Sequence, residues 1–167
     1  MNSELEMKLQ EEFPFMEQTH DPKDRSIYRA YGLECSSGWY HILRDCCQAI
    51  ADEYKKTGIL VDFIPEQIKE KFGTLRFYYD YEDAPVAIHA VDSLNSGSSL
   101  RFIPADNDDD DDKKSILRQK IAKIVRDVEI KSASTCEFCG RDGELRRDLP
   151  WIKTLCEDCY AKMRKKL

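Results

Sequence analysis

The chain has 167 residues, 41% of them hydrophobic and 35% charged, which suffices for one packed domain with a small metal-stabilised module. It contains no apolar run of about 18 residues and begins with the acidic stretch MNSELEMKLQEEF, which argues against a membrane span and a secretory signal. The net charge of −6 disfavours nonspecific nucleic-acid binding as the main activity, and seven cysteines without a secretory signal are typical of the reducing cytoplasm.

The first half of the chain predicts two helices. Ser3 and Glu6 form a capping-box pattern before a first helix that Pro14 ends, and the polar segment 19–31 is expected to be a loop. Ser36 and Ser37 are candidate N-caps for a second, strongly amphipathic helix that stops at Gly58. Its apolar stripe consists of Trp39, Ile42, Leu43, Cys46, Cys47, Ile50 and Tyr54.

Residues 59–81 change to the alternating pattern of β-strands. Leu60 and Val61 are expected to begin the first strand, and Phe72-Gly73 is expected to form a turn or a bulge before the second. The prediction is an antiparallel hairpin or meander with the second helix packed on its apolar face.

One face of this hairpin is a candidate binding surface for a phosphate, a nucleotide or an acidic partner. Strand alternation places Gln67, Lys69 and Lys71 on one face of the first strand, and Arg76 and Tyr78 on one face of the second. The simpler alternative, which the sequence favours, is a solvated face whose charges pair with Glu66 and Asp80.

Segment 92–112, with its Ser/Gly-rich and aspartate-rich stretches, is predicted to be a flexible linker. It divides an α+β core, residues 1–91, from a helix over residues 113–135 that packs on the core and leads into a C-terminal module, residues 136–167. The apolar stripe of this helix consists of Leu117, Ile121, Ile124, Val125 and Val128.

The C-terminal module carries the clearest motif, C-x2-C-x16-C-x2-C, formed by Cys136, Cys139, Cys156 and Cys159. Two Cys-x-x-Cys pairs at this separation favour one structural Zn²⁺ over redox or disulfide pairs. Four thiolate ligands would leave the ion no open position for catalysis. The predicted order of knuckle, hairpin and ligand-bearing helix is that of treble-clef zinc modules, and CEFCGRDGELRRDLPWIKTLCEDC resembles GATA-type fingers.

The charge of the module argues against DNA reading. Residues 136–167 contain eight basic and six acidic side chains, and four thiolates with one Zn²⁺ add about −2, so the module is neutral. A protein that reads a DNA duplex would be expected to show a clear positive excess.

Most of the chain resembles a family of small bacterial and phage-borne zinc-binding proteins with no assigned activity. The resemblance is carried by Gly38-Trp39-Tyr40, by Lys69-Glu-Lys-Phe-Gly73 with Leu75-Arg-Phe-Tyr78, by Cys136-x-x-Cys139-Gly140 and by Thr154-Leu-Cys156. Many relatives end in Cys-x-x-His, whereas this chain has Cys159. The resemblance supplies no catalytic residues, and it implies a virus- or mobile-element-encoded protein that acts on a host protein.

Three functions are compatible with the sequence. The first is a non-enzymatic interaction protein with one structural zinc ion and a protein partner. The second is a nucleic-acid-binding protein that uses Lys69, Lys71, Arg76 and the C-terminal basic helix. The third is a small enzyme or nucleotide-binding protein that uses the sheet face, although no catalytic motif is evident.

Overall fold

A computed structural model describes residues 1–83, 90–92, 99–101 and 112–165. The fold is α+β, as predicted, with small antiparallel sheets. The helices are α1 (Ser3–Glu12), α2 (Ile27–Tyr31), α3 (Tyr40–Thr57), α4 (Asp112–Ser132) and α5 (Glu157–Arg164). The strands are β1 (Phe63–Lys71), β2 (Thr74–Tyr81), β3 (Ala90–Asp92), β4 (Ser99–Arg101), β5 (Glu144–Arg146) and β6 (Lys153–Leu155), paired as β1–β2, β3–β4 and β5–β6. Among the described residues, no helix is long and apolar enough to cross a membrane.

The amphipathic helix α3 is confirmed, but its predicted cap is wrong. All seven residues of the predicted stripe are buried, and Gly58 ends the helix at φ +71°. Ser37 instead begins a 3-10 turn, Ser37–Trp39, and its hydroxyl accepts a hydrogen bond from the backbone N–H of Asn2. The serines therefore do not cap α3, because the residues before the helix are committed to long-range contacts.

Two other predictions near the N-terminus are also corrected. The N-cap of α1 is Asn2, whose side chain accepts from the N–H of Glu4, so Ser3 is the first helical residue. Glu6 accepts a hydrogen bond from the N–H of Leu33 instead of closing a capping box. The predicted loop 19–31 contains α2, a short helix capped by the hydroxyl of Ser26.

The β1–β2 hairpin lies at the centre of the fold. Phe72 and Gly73 form its turn at φ +53° and +75°, and a register shift between Pro65 and Gln67 marks a bulge in β1. The strand starts at Phe63, so the prediction that Leu60 begins it is wrong: Leu60 is 89% exposed. The apolar face buries Ile68, Leu75, Phe77, Tyr79 and Tyr81 against α3 and α4.

Both edges of this two-stranded sheet make hydrogen bonds to other parts of the chain. Glu34 forms a parallel bridge beside β1, with its N–H donated to Ile68 O and its carbonyl accepting from Glu70 N. On the other edge, Ser132 Oγ accepts from the N–H of Leu75. Helix α4 thus provides side-chain acceptors for the outer edge of β2.

Helix α4 corresponds to the helix predicted over residues 113–135, and most of its predicted apolar stripe is buried. Leu117, Ile121, Val125 and Val128 are buried in the same core as α3, and Ile124 packs against it. The predicted linker 92–112 lies largely outside the described residues. Within it the structure describes Asp92, the last residue of β3, the strand β4 that pairs with β3, and Asp112, the first residue of α4.

Candidate metal centre

The four cysteines of the sequence motif converge at one point. Their Sγ atoms all lie within 4.8 Å of one another, and the Sγ atoms of Cys139 and Cys156 are 3.6 Å apart. Zinc–sulfur bonds of about 2.3 Å at tetrahedral angles separate sulfurs by about 3.8 Å. The spacing and the all-thiolate donor set therefore fit a metal ion of the zinc type.

Three short elements position these ligands. Cys136 and Cys139 belong to a knuckle between α4 and β5, closed by hydrogen bonds from Cys136 N to Arg141 O at 2.7 Å and from Gly140 N to Cys136 O at 2.9 Å. Gly140 adopts φ +76°, which other residues adopt with strain. Cys156 follows β6 directly, and Cys159 lies in the first turn of α5.

The thiols differ in their affinity for a proton. Desolvation opposes ionisation of Cys139, but hydrogen bonds from Arg141 and from neighbouring cysteines outweigh it and lower the pKa to about 6. Desolvation and the other sulfurs raise the pKa of Cys159 to about 12. The pKa values of these two ligands are thus shifted in opposite directions, and a bound cation would favour the thiolate form of both.

The knuckle packs directly against the residues that precede α3. The N–H of Gly38 donates to the carbonyl of Glu137 at 2.9 Å, and the indole Nε1–H of Trp39 donates to the carbonyl of Thr135 at 2.8 Å. Trp39 is fully buried. A Cβ at Gly38 would overlap the carbonyl oxygen of Cys136 and lie 2.7 Å from Cys139 N. Only glycine permits this backbone approach.

The turn of the β1–β2 hairpin makes a second close contact with the module. The hydroxyl of Thr154 donates to the carbonyl of Gly73 at 2.6 Å, and a Cβ at Gly73 would lie 2.5 Å from Leu145 Cδ1. Glu137, whose backbone carbonyl accepts from Gly38, also has a buried carboxylate that accepts a hydrogen bond from Lys153 Nζ at 2.8 Å. Burial raises the pKa of Glu137 despite this lysine. We refer to the contacts of Gly38, Trp39 and Gly73 with the module as the junction.

The five predicted binding residues on the hairpin lie on one face of it. In the register of the strands, Gln67 lies opposite Tyr78, Lys69 opposite Arg76, and Lys71 opposite Thr74. Lys69 Nζ sits 5.4 Å from the ring centroid of Tyr78, and Gln67 donates to Glu34 at 2.6 Å. That this face binds a phosphate or an acidic partner stays a prediction.

The sequence analysis did not identify three exposed aromatic side chains in the metal module and at the hairpin turn that contacts it. Trp151 is 80% exposed, Phe138 42% and Phe72 37%. Lys153 contacts one of them, since its Nζ lies 5.5 Å from the ring centroid of Phe138, and its backbone lies beside Gly73, the residue that follows Phe72. Trp151 comes directly after Pro150 in the loop between β5 and β6, a position that could have signalled exposure.

Comparisons with protein-family models, with curated proteins and with solved structures find no match.

Proposed function

We propose that this chain is a non-enzymatic interaction protein whose C-terminal module is stabilised by one zinc ion. The observation that carries the proposal is the closed set of four thiolate donors within 4.8 Å of one another. Zinc held by four protein ligands has no position for water or substrate, and such sites are structural. The ion would hold the knuckle, β6 and α5 together and so keep the junction in place.

The order of elements supports a treble-clef assignment for the module. A knuckle supplies the first two ligands, the β5–β6 hairpin follows, and Cys159 on α5 supplies the last ligand. The same order occurs in modules of many functions, so it indicates the architecture and not the partner.

The proposed recognition surface consists of Phe72, Phe138 and Trp151 around Lys153. Large apolar side chains exposed to solvent are common at interaction sites, and tryptophan is enriched among the residues that dominate binding energy. Following the resemblance to phage-borne proteins, we propose a host protein in the cytoplasm as the partner.

Metal analysis tests the first part of the proposal. Protein purified without chelators should contain about one equivalent of zinc. A zinc content below about half an equivalent, in protein that is folded and has reduced cysteines, would contradict the zinc assignment.

Affinity purification with matched variants tests the recognition surface. The wild-type chain, Trp151→Ala and Tyr31→Ala would be compared as baits in cells of the source organism. Tyr31 is a suitable control because it is 65% exposed and lies on α2, outside the module. We expect Trp151→Ala to lose a protein that the wild type and Tyr31→Ala retain. Equal recovery with all three baits would contradict this surface.

Nucleic-acid binding is a second candidate because Lys69 lies directly opposite Arg76. Like charges in directly opposed positions destabilise a sheet, so an anionic ligand there would relieve a real cost. In a filter-binding titration, affinity should fall steeply with salt and weaken in Lys69→Gln. Flat, weak binding at all salt concentrations would eliminate this candidate.

A further inference from the structure

The side chain of Arg141 contacts the cysteine cluster from outside. Its Nη2 lies 3.5 Å from Cys156 Sγ and donates a hydrogen bond to it. The same nitrogen lies 2.7 Å from Asp158 Oδ2, on the first turn of α5. Arg141 therefore connects the two halves of the ligand set, because its backbone carbonyl accepts from Cys136 N of the knuckle while its guanidinium contacts Cys156 of the second pair.

The backbone fixes where this arginine stands. Its carbonyl accepts the hydrogen bond from Cys136 N that closes the knuckle, and Gly140 immediately before it turns the chain at φ +76°. Asp158 then holds the far end of the side chain. Arg141 is thus held at its backbone and at its guanidinium, although its side chain is 60% exposed.

We propose that Arg141, positioned by Asp158, is the residue that controls how long the metal stays bound. This inference rests on the proposed zinc site. Four thiolates around one divalent cation carry an excess charge of about −2, and the sulfurs are the atoms that electrophiles and competing metals attack. N–H donors from a fixed cation lower the charge density on sulfur and occupy its lone pairs.

Arginine suits this role better than lysine. Its planar fork can direct several N–H groups at different acceptors, whereas lysine presents a compact charge on a flexible stem. Arg141→Lys should therefore restore only part of what Arg141→Ala loses. Asp158→Asn should fall between the wild type and Arg141→Ala, because the guanidinium stays but loses its anchor.

The test uses the full-length zinc-loaded chain and measures zinc transfer to a chromogenic chelator, with and without a thiol-alkylating reagent. Losing an interaction in the outer shell of a metal site typically lowers metal affinity 10- to 100-fold. Because Arg141 is largely exposed, we expect the lower end, about tenfold faster release in Arg141→Ala. Arg147→Ala, an exposed arginine of the same module, is the matched control and should release zinc at the wild-type rate.

Cobalt(II) substitution supplies a readout that general destabilisation does not move. Hydrogen bonds to a thiolate stabilise its filled orbitals, so Arg141→Ala should shift the sulfur-to-cobalt charge-transfer band to lower energy while Arg147→Ala leaves it unchanged. Wild-type release and an unshifted band in Arg141→Ala would overturn the proposal. A wild-type chain that binds no metal would instead refute the zinc site, so the two failures are distinct.

Discussion

Gly38→Ala is the sharpest test of the junction. Gly38 lacks a positive φ, so alanine would cost nothing in backbone conformation there. The added Cβ, however, would lie 2.6 Å from Glu137 C and 2.7 Å from Cys139 N, and both neighbours are backbone atoms of the knuckle. Neither can move without displacing a cysteine ligand.

The expected cost follows from these distances. Overpacking a well-packed site costs about 1–3 kcal/mol, and a rigid backbone on the other side places this position at the upper end. A loss of about 3 kcal/mol in a chain of this size lowers the melting temperature by about 6–12 °C. Calorimetry or circular dichroism of the zinc-loaded protein measures it.

Gly58→Ala is the matched control, because a Cβ there meets nothing within 4 Å and only the positive φ of +71° opposes alanine. That strain costs about 1 kcal/mol, so the control should lose only a few degrees. A melting temperature of Gly38→Ala equal to or above that of Gly58→Ala would refute the steric reasoning.

Metal removal tests whether the ion holds the knuckle against Gly38. The overlap at Gly38 exists only while the knuckle is held in place, so chelation should shrink the difference between the wild type and Gly38→Ala. If the difference is the same with and without metal, the knuckle is folded independently of the ion. The zinc would then not support the junction.

Three further variants test individual hydrogen bonds and ion pairs. Trp39→Phe leaves the buried carbonyl of Thr135 without its indole donor and should cost about 1–3 kcal/mol in urea unfolding; a smaller loss would mean that the carbonyl finds another donor. Arg118→Ala removes a buried guanidinium from two carboxylates and should cost about 3 kcal/mol, whereas a loss below about 1 kcal/mol would show that the cluster contributes little. The hydrogen bond from Lys114, followed by that from Arg118, lowers the pKa of Asp83, so folding favours its ionised form. This contribution is present above about pH 4 and is lost as the pH falls below that, so Asp83→Asn should flatten stability between pH 4 and 2.

The sequence predicted those helices and strands that a short periodic pattern of apolar residues encodes. The stripes of α3 and α4 follow the helical period, and the strands of the β1–β2 hairpin follow the alternating one. Leu60 shows the limit of this reasoning. A run of apolar residues does not say which of them turns inward, and the core takes Phe63, which stacks on Tyr79 at 4.9 Å between ring centroids.

The candidate site likewise contains one part that local spacing predicts, the cysteine cluster, and one part that it does not, the junction. Four cysteines at fixed spacing predict their own convergence, because zinc ligation makes the spacing meaningful. The junction has no such signal, since Trp39 and Thr135 are separated by 96 residues and Gly73 and Thr154 by 81. The failed prediction of a serine cap before α3 has the same origin, because Ser37, Gly38 and Trp39 take part in long-range contacts that no local pattern encodes.

Several of the sequence motifs meet at this junction. Gly38-Trp39, Phe72-Gly73, Cys139-Gly140 and Thr154 come from four separate stretches, yet each stretch contributes a contact between the core and the metal module. Residues that hold two parts of a fold together are constrained whatever the protein binds. Partner-binding side chains are therefore better sought among residues that make no junction contact, such as the exposed Trp151. If junction residues and partner-binding residues are different, the two kinds of variant should differ. Gly38→Ala should lower the melting temperature, whereas Trp151→Ala should reduce binding and leave the melting temperature unchanged.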